Sequence, residues 1–390
     1  MLVPFLRKVA IVSAGMTKFG KHDGKSLLDL MSEAALEALS VYDSLDIDML
    51  VGATMAPELY ENSVGPINKL AGVLGLEGKT VLRVENTSGS GGAGIFVGYL
   101  AVASGYADKV LVVGGEKMTS KSTEENAYII SGLLHDCERS LGVTLPSYAA
   151  LLANWYFRKY NPPKDSLAHV AIKNHYHGSL NPKAHIQKRI TLEEYFQSKI
   201  VAEPLRVMDY TPISDGAASV LLMPLDEAYS YTDKPVVISA VVGKTDSFVV
   251  HERDELDRMN GVALSVEKAL SQAGLRREDI DLIELHDMAT ILEIVELENM
   301  GFFKRGEGWR GAMEKITWLD GELPVNTSGG LKSKGHPIGA TGVAQAYEVF
   351  LQMRREAGER QAKKNVSRAL SMSMGGFGQN AYTIIYEAGW

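Results

Sequence analysis

The chain has 390 residues, of which 45% are hydrophobic and 23% charged, ordinary proportions for a globular protein with room for one large domain or two. Its net charge of −8 argues against a general nucleic-acid or membrane-surface binder, because both need a basic face. Cys137 is the only cysteine, which excludes an intrachain disulfide and a zinc site built on several thiolates and fits a cytoplasmic setting.

The N-terminal apolar run is too short for a signal peptide, and no run reaches the ~18 residues of a membrane span. Residues 7–14 read as a buried strand. Residues 26–42 carry Leu27, Leu30, Met31, Ala34, Ala35 and Ala38 at helical spacing. Strands are expected at 48–54 and 80–85, a glycine- and alanine-rich helix at 89–105, and a strand at 108–115. The stretch 117–205 breaks the alternation. Its helices near 146–160 and 164–176 flank Pro162 and Pro163, as in an insertion laid over the edge of a sheet. Alternation resumes at 216–223 and runs through 235–243, 261–274, 281–286, 290–300, 337–356, 367–373 and 381–387. Such alternation implies a mainly parallel sheet covered on both faces.

The chain also repeats itself. A helix with Ala35 and Leu36 leads to Ile47-Asp48-Met49-Leu50, and a helix with Ala269 and Leu270 leads to Ile280-Asp281-Leu282-Ile283. Asn86-Thr87-Ser88-Gly89 recurs as Asn326-Thr327-Ser328-Gly329. The two offsets agree within a few residues, so two copies of one α/β unit are expected, over 1–230 and 231–390. Their loops would converge on one crevice at the carboxyl ends of the strands.

Residues 326–342, NTSGGLKSKGHPIGATG, hold five glycines and place His336 between Gly335 and Pro337, just ahead of a helix. This peptide resembles the signature of the thiolases, in particular the lipid-transfer-protein-associated and archaeal branch. VAIVSAGMTKFGK (9–21), IKNHYHGSLNPKA (172–184), PISDGAASVLL (212–222), ELHDMAT (284–290) and GGFGQNAYTIIYE (375–387) carry the resemblance along nearly the whole chain.

The resemblance implies a five-layered αβαβα fold, a homodimer or tetramer, and an acyltransferase acting on coenzyme A thioesters without a metal. It also implies two protein partners, a zinc-ribbon/OB-fold protein and a hydroxymethylglutaryl-CoA synthase. Ser88 falls where the family places its nucleophilic cysteine, and Ser373 where it places a second one. By resemblance the backbone N–H groups of Ser88 and Gly375 form one oxyanion hole, and His286 and His336 bind a second thioester oxygen. Ala289 stands where the family usually carries an aromatic residue, after His-Asp-X.

Serine changes the chemistry. A thiolate is abundant near neutral pH, whereas a hydroxyl needs a base during attack, and His336 is the candidate. Ser373 is a poor general base. Condensation or thiolysis through Ser88 is the first expectation. Retro-aldol cleavage of a 3-hydroxyacyl-CoA and a non-catalytic acyl-CoA-binding subunit are the alternatives. Lys173 reads as a contact to a CoA phosphate or as a solvated lysine. Tyr210 reads as a packed residue or a proton carrier, and Asn326 as a substrate contact.

Overall fold

The computed structural model describes residues 6–42 and 46–390. Nine strands form one sheet: β1 (Val9–Met16), β2 (Met49–Ala53), β3 (Thr80–Val84), β4 (Val110–Lys117), β5 (Asp215–Pro224), β6 (Val236–Thr245), β7 (Leu282–Glu284), β8 (Arg368–Gly375) and β9 (Asn380–Ala388). The helices that matter for the site are α1 (Leu27–Leu39), α2 (Ser90–Ser104), α3 (Leu145–Tyr160), α4 (Ser166–Ser179), α5 (Asn260–Ala273), α6 (Thr290–Asn299), α7 (Gly330–Lys334) and α8 (Thr341–Arg354). The helical run expected over 337–356 begins only at Thr341, after a single tight turn at Ile338–Ala340.

The strand order is β3-β2-β4-β5-β1-β6-β9-β8-β7. At its centre β1 and β6 pair antiparallel, Val9 with Ile238 and Ile11 with Val236. Outward from that pair each side runs first, fifth, fourth, second strand of its half. The third position is β3 on one side and a bridge from Val325 to Ile283 on the other. The sequence repeat is thus a pseudo-two-fold axis between β1 and β6. The parallel pairings that alternation predicts are the outer ones, β3–β2–β4 and β7–β8. The five central pairings are antiparallel, because in each half the fifth strand returns between the first and the fourth.

The symmetry reaches single side chains. Asp48 accepts from the N–H groups of Asp108 and Lys109, just before β4, and Asp281 accepts from those of Ser367 and Arg368, where β8 begins. Each aspartate therefore fixes the register of its half's second strand against the fourth.

The sheet folds around α2 and α8, which pack against strands of both halves, while α1 covers the outer face of the first half and α5 that of the second. This is the expected order of layers. Strands buried on both faces read as continuous apolar runs, as β4 does. The two central helices touch at glycine: a Cβ on Gly91 would lie 2.6 Å from the backbone nitrogen of Gly342. Any larger residue would separate the starts of the two helices, and both site loops end there.

The fourth and fifth strands of the second half join by the turn Gly376–Gln379. In the first half the same connection is the insertion, which runs from Met118 to Ser214. It does not hang over an edge. Its α3 and α4 pack on α6 and α7 of the other half and roof a crevice at the carboxyl ends of the strands.

Candidate active site

The crevice is a cavity of about 520 Å³ between the insertion, the Ser88 loop and the Lys332–Ile338 segment of the other half. Ser88, Tyr210, Met288, Lys332 and His336 all line it. Ser88 precedes α2 across its cap, Gly89, so it faces the positive end of a fifteen-residue helix. Thr87, immediately before it, has φ 51°. A β-branched residue in the left-handed region is strained, and such strain persists where surrounding contacts hold it. Here Thr87 N–H donates to Glu85, and its hydroxyl lies 3.3 Å from Asn380 Nδ2. The turn that follows β8 closes on the same loop, where a Cβ on Gly375 would lie 2.3 Å from Thr87 Oγ1. The chain thus brings the loop of Ser88 and the backbone of Gly375 side by side.

His286 and His336 stand edge to face, ring centroids 4.9 Å apart and planes at 90°. Their sequence positions are fifty residues apart, and β7 and the 335–340 loop bring them together. His286 Nδ1 accepts a long contact from Met374 N–H at 3.5 Å, which leaves Nε2–H as a donor without a partner among the described residues. His336 Nδ1 meets Thr341 Oγ1 at 2.6 Å, and that hydroxyl also reaches Pro337 O at 3.1 Å. One proton with two acceptors satisfies either tautomer. When the hydroxyl donates to Pro337 O, its oxygen accepts from Nδ1–H and the ring presents a bare Nε2, a base. When it donates to Nδ1, the ring proton is on Nε2 and the ring presents a donor. Burial and the nearby Lys334 charge hold His336 down to about 3. Burial, His336 and Lys334 hold His286 well below its usual range. Both rings are therefore neutral near pH 7. No hydrogen bond joins Ser88 to His336 among the described residues, since the one bond at His336 goes to Thr341. In unliganded sites such contacts are commonly loose.

The 335–340 loop is itself fastened from below. Glu116, at the end of β4, accepts from the N–H groups of Gly339, Met55 and Ala56. Burial raises this carboxyl to about 7 against those three donors.

Comparison with known families and structures places the fold. The description "Thiolase, N-terminal domain" matches residues 9–226 and "Thiolase C-terminal domain-like" matches 243–388. The chain belongs to the thiolase family. An acetyl-CoA acetyltransferase of Methanothermobacter thermautotrophicus is 37% identical over 98% of this chain and 100% of its own length. Human sterol carrier protein 2 is 30% identical over 99% of this chain and 73% of its own. Among solved structures, one titled "Ltp2-ChsH2(DUF35) aldolase" superposes with a TM-score of 0.83 at 24% identity, covering 99% of both chains. Human mitochondrial 3-ketoacyl-CoA thiolase gives 0.75 at 17%, covering 98% of this chain and 100% of its own. These last two likenesses concern the fold.

Within this thiolase frame several expected site residues sit elsewhere. Lys173 neither meets solvent nor lines the cavity. It is fully buried, paired with Glu293, and donates to Val325 O at 3.2 Å. A lysine in a polar-looking segment reads as solvated, but α4 turns this one into the core. Asn326 is equally spent. Its Nδ2 donates to Glu293 at 2.9 Å and its Oδ1 accepts from Leu285 N–H at 2.9 Å, and the side chain is fully buried away from the cavity wall. Tyr210 lines the cavity, yet its hydroxyl donates to Pro146 O at 2.8 Å. Burial and Asp209 push its phenol up, which suits the packed reading over the proton carrier. Ser373 is buried beneath the helix crossing, where a Cβ on Gly92 would lie 2.7 Å from its own Cβ, and its hydroxyl has no partner among the described residues. Thr341 and Glu116, which orient His336 and its loop, were not read from the sequence. A threonine five residues after a glycine-flanked histidine was the available sign.

Proposed function

We propose that this chain transfers acyl groups between coenzyme A thioesters, condensing or cleaving 3-oxoacyl-CoA, with Ser88 as the acyl-accepting nucleophile. The observation that carries the reading is the meeting of Ser88, at a helix N-terminus beside a strained Thr87, with His336 in one cavity, His286 standing edge to face against His336.

Ser88 Oγ attacks the thioester carbonyl as its proton passes to His336 Nε2. The N–H groups of Ser88 and Gly375 take the developing oxyanion, roughly 3–4 kcal/mol for each donor. The carbon–sulfur bond breaks, and the leaving thiolate recovers the proton from His336. A second acyl-CoA then places its thioester oxygen on His286 Nε2–H. Loss of an α-proton gives an enolate, whose carbon attacks the acyl-Ser88 ester, releasing 3-oxoacyl-CoA and free Ser88. Ser373 is too weak a base to remove that α-proton unaided, so the burden shifts to His336. An oxygen ester lies below a thioester in free energy. Acyl-Ser88 therefore persists, and its return to coenzyme A is slow.

A second reading is cleavage of a 3-hydroxyacyl-CoA with no covalent intermediate. It is favoured by hydroxyls at both positions where the family carries thiols, and needs only a base and a donor for the enolate oxygen, the roles open to His336 and His286. The aldolase among the fold neighbours gives it context.

One experiment separates the two. After incubation with acetyl-CoA and with acetoacetyl-CoA, mass spectrometry should find an acetyl group on the Ser88 peptide, absent in Ser88→Ala, which should also lose acetoacetyl-CoA cleavage. A clean peptide with aldehyde or ketone released from a 3-hydroxyacyl-CoA would establish the second reading instead. Acyl-CoA bound with no turnover of any kind would make the chain a binding subunit. We place the protein in a homodimer or tetramer, with a zinc-ribbon/OB-fold protein and a hydroxymethylglutaryl-CoA synthase as the partners to seek by co-purification.

A further inference from the structure

A buried ammonium is tolerated beside a compensating charge and is costly without one. Five cationic side chains are buried among the described residues: Lys117, Lys173, Lys332, Lys334 and Arg360. Four have a carboxylate within ion-pair range. Lys117 lies 2.5 Å from Asp215, Lys334 3.7 Å from Glu284 and Arg360 2.9 Å from Glu348, while Lys173 is bonded to Glu293. Lys332 is the fifth, and no carboxylate reaches it.

The one hydrogen-bond partner of Lys332 Nζ is His175 Nε2, at 3.3 Å. His175 Nδ1 must donate to Lys188 O at 2.9 Å, so its Nε2 is an acceptor. Lys332 is therefore the donor between them and keeps two N–H groups for something else. Asp209 and Asp287 act on it from beyond bonding distance. Their oxygens are already engaged, Asp209 by Tyr195 and Thr290, Asp287 by Asn174 and the N–H of Leu331. Burial lowers the ammonium to about 8, which leaves it largely charged at neutral pH.

Lys332 and His175 belong to the wall of the same cavity as Ser88 and His336. Around them the wall holds Ile186, Ile190 and Met208, with Lys188 the other cation on it. A cation with no carboxylate in ion-pair range, among side chains that suit methylene groups, selects a particular ligand chemistry. A ketone or hydroxyl oxygen would accept a bond but leave the charge unmatched, whereas a carboxylate answers both needs.

We propose that Lys332, braced by His175, is a subsite for a carboxylate carried on the acyl chain, so that the preferred ligands are coenzyme A thioesters of ω-carboxyacyl groups. This rests on the acyl-CoA reading of the cavity and adds a substrate class to it. Lys332 acts as a specificity-determining residue, apart from bond making at Ser88.

The test is calorimetric titration of the full chain in a Ser88→Ala background, which stops acyl transfer. Succinyl-CoA and glutaryl-CoA are compared with butyryl-CoA and pentanoyl-CoA. The carboxylated member of each pair should bind about tenfold more tightly, and Lys332→Met should erase that preference while moving the unsubstituted thioesters by roughly twofold at most. Unsubstituted thioesters binding as well as carboxylated ones in the Lys332 protein would overturn the proposal and leave the acyl-CoA reading standing. Equal weakening of both members by Lys332→Met would also overturn it, because the lysine would then be meeting coenzyme A itself. If none of the four binds, both fall together. Should Lys332→Met fail to fold, the preference of the Lys332 protein decides.

Discussion

The same four residues occur twice in this molecule and do opposite things. Asn86-Thr87-Ser88-Gly89 leaves the third strand of the first half and presents Ser88 to the cavity. Asn326-Thr327-Ser328-Gly329 leaves the equivalent edge of the second half, and its three polar side chains are wholly buried. Ser328 Oγ donates to Glu284 at 2.6 Å, Thr327 bonds Glu284 and Glu348, and Asn326 bonds Glu293. The tetrapeptide does not set this difference. Buried carboxylates consume the hydroxyl in one copy, and a cavity leaves it free in the other.

The sharpest way to break this contrast is to remove the charge beneath the second loop. Lys173 balances Glu293, which in turn holds Asn326 and Asn174. Lys173→Met leaves a buried carboxylate unpaired and should cost about 3–5 kcal/mol, read by urea or thermal unfolding. A loss under about 1 kcal/mol would mean that the second loop does not depend on the buried charges, and the contrast would collapse.

A matched pair of alanine variants gives a smaller, cleaner difference. Ser328→Ala strips a donor from buried Glu284 and should lower stability by about 1–3 kcal/mol. Ser88→Ala removes a hydroxyl from a cavity wall and should change stability by less than about 0.5 kcal/mol while ending acyl transfer. Equal stability losses at the two serines would show that Ser88 is also structural.

The repeat, the layers and the position of His336 were legible because each rests on local signals: strand-like runs, a recurring tetrapeptide, glycines around a histidine. The antiparallel centre of the sheet was not, because strand order depends on where the fifth strand returns, and no residue marks that. Lys173 and Asn326 escaped for a related reason. The first reads as a phosphate contact or a solvated lysine and the second as a substrate contact, and only Glu293, brought from α6, decides the part of each.

The last and smallest test uses the histidines that serve each loop. His177 Nδ1 donates to Asn326 O at 3.0 Å, behind the second loop, and burial with the Lys173 charge lowers it to about 3. The unfolded chain titrates near 6.5. A histidine depressed on folding adds stability above pH 6.5 that is lost as pH falls toward its folded value, at about 1.4 kcal/mol per unit. His177→Asn keeps a donor for Asn326 O and removes the titration. The stability advantage of the histidine chain over this variant should therefore narrow by about that amount per unit between pH 6.5 and 5, measured by urea unfolding. A constant difference would mean that the ring is not held neutral by its surroundings. His336 is lowered equally but serves the cavity loop, so its signature belongs to catalysis. Turnover should show no acid limb near pH 6.5, because the base is already unprotonated far below it. A limb at 6.5 would place an ordinary, hydrated histidine in the role here assigned to His336.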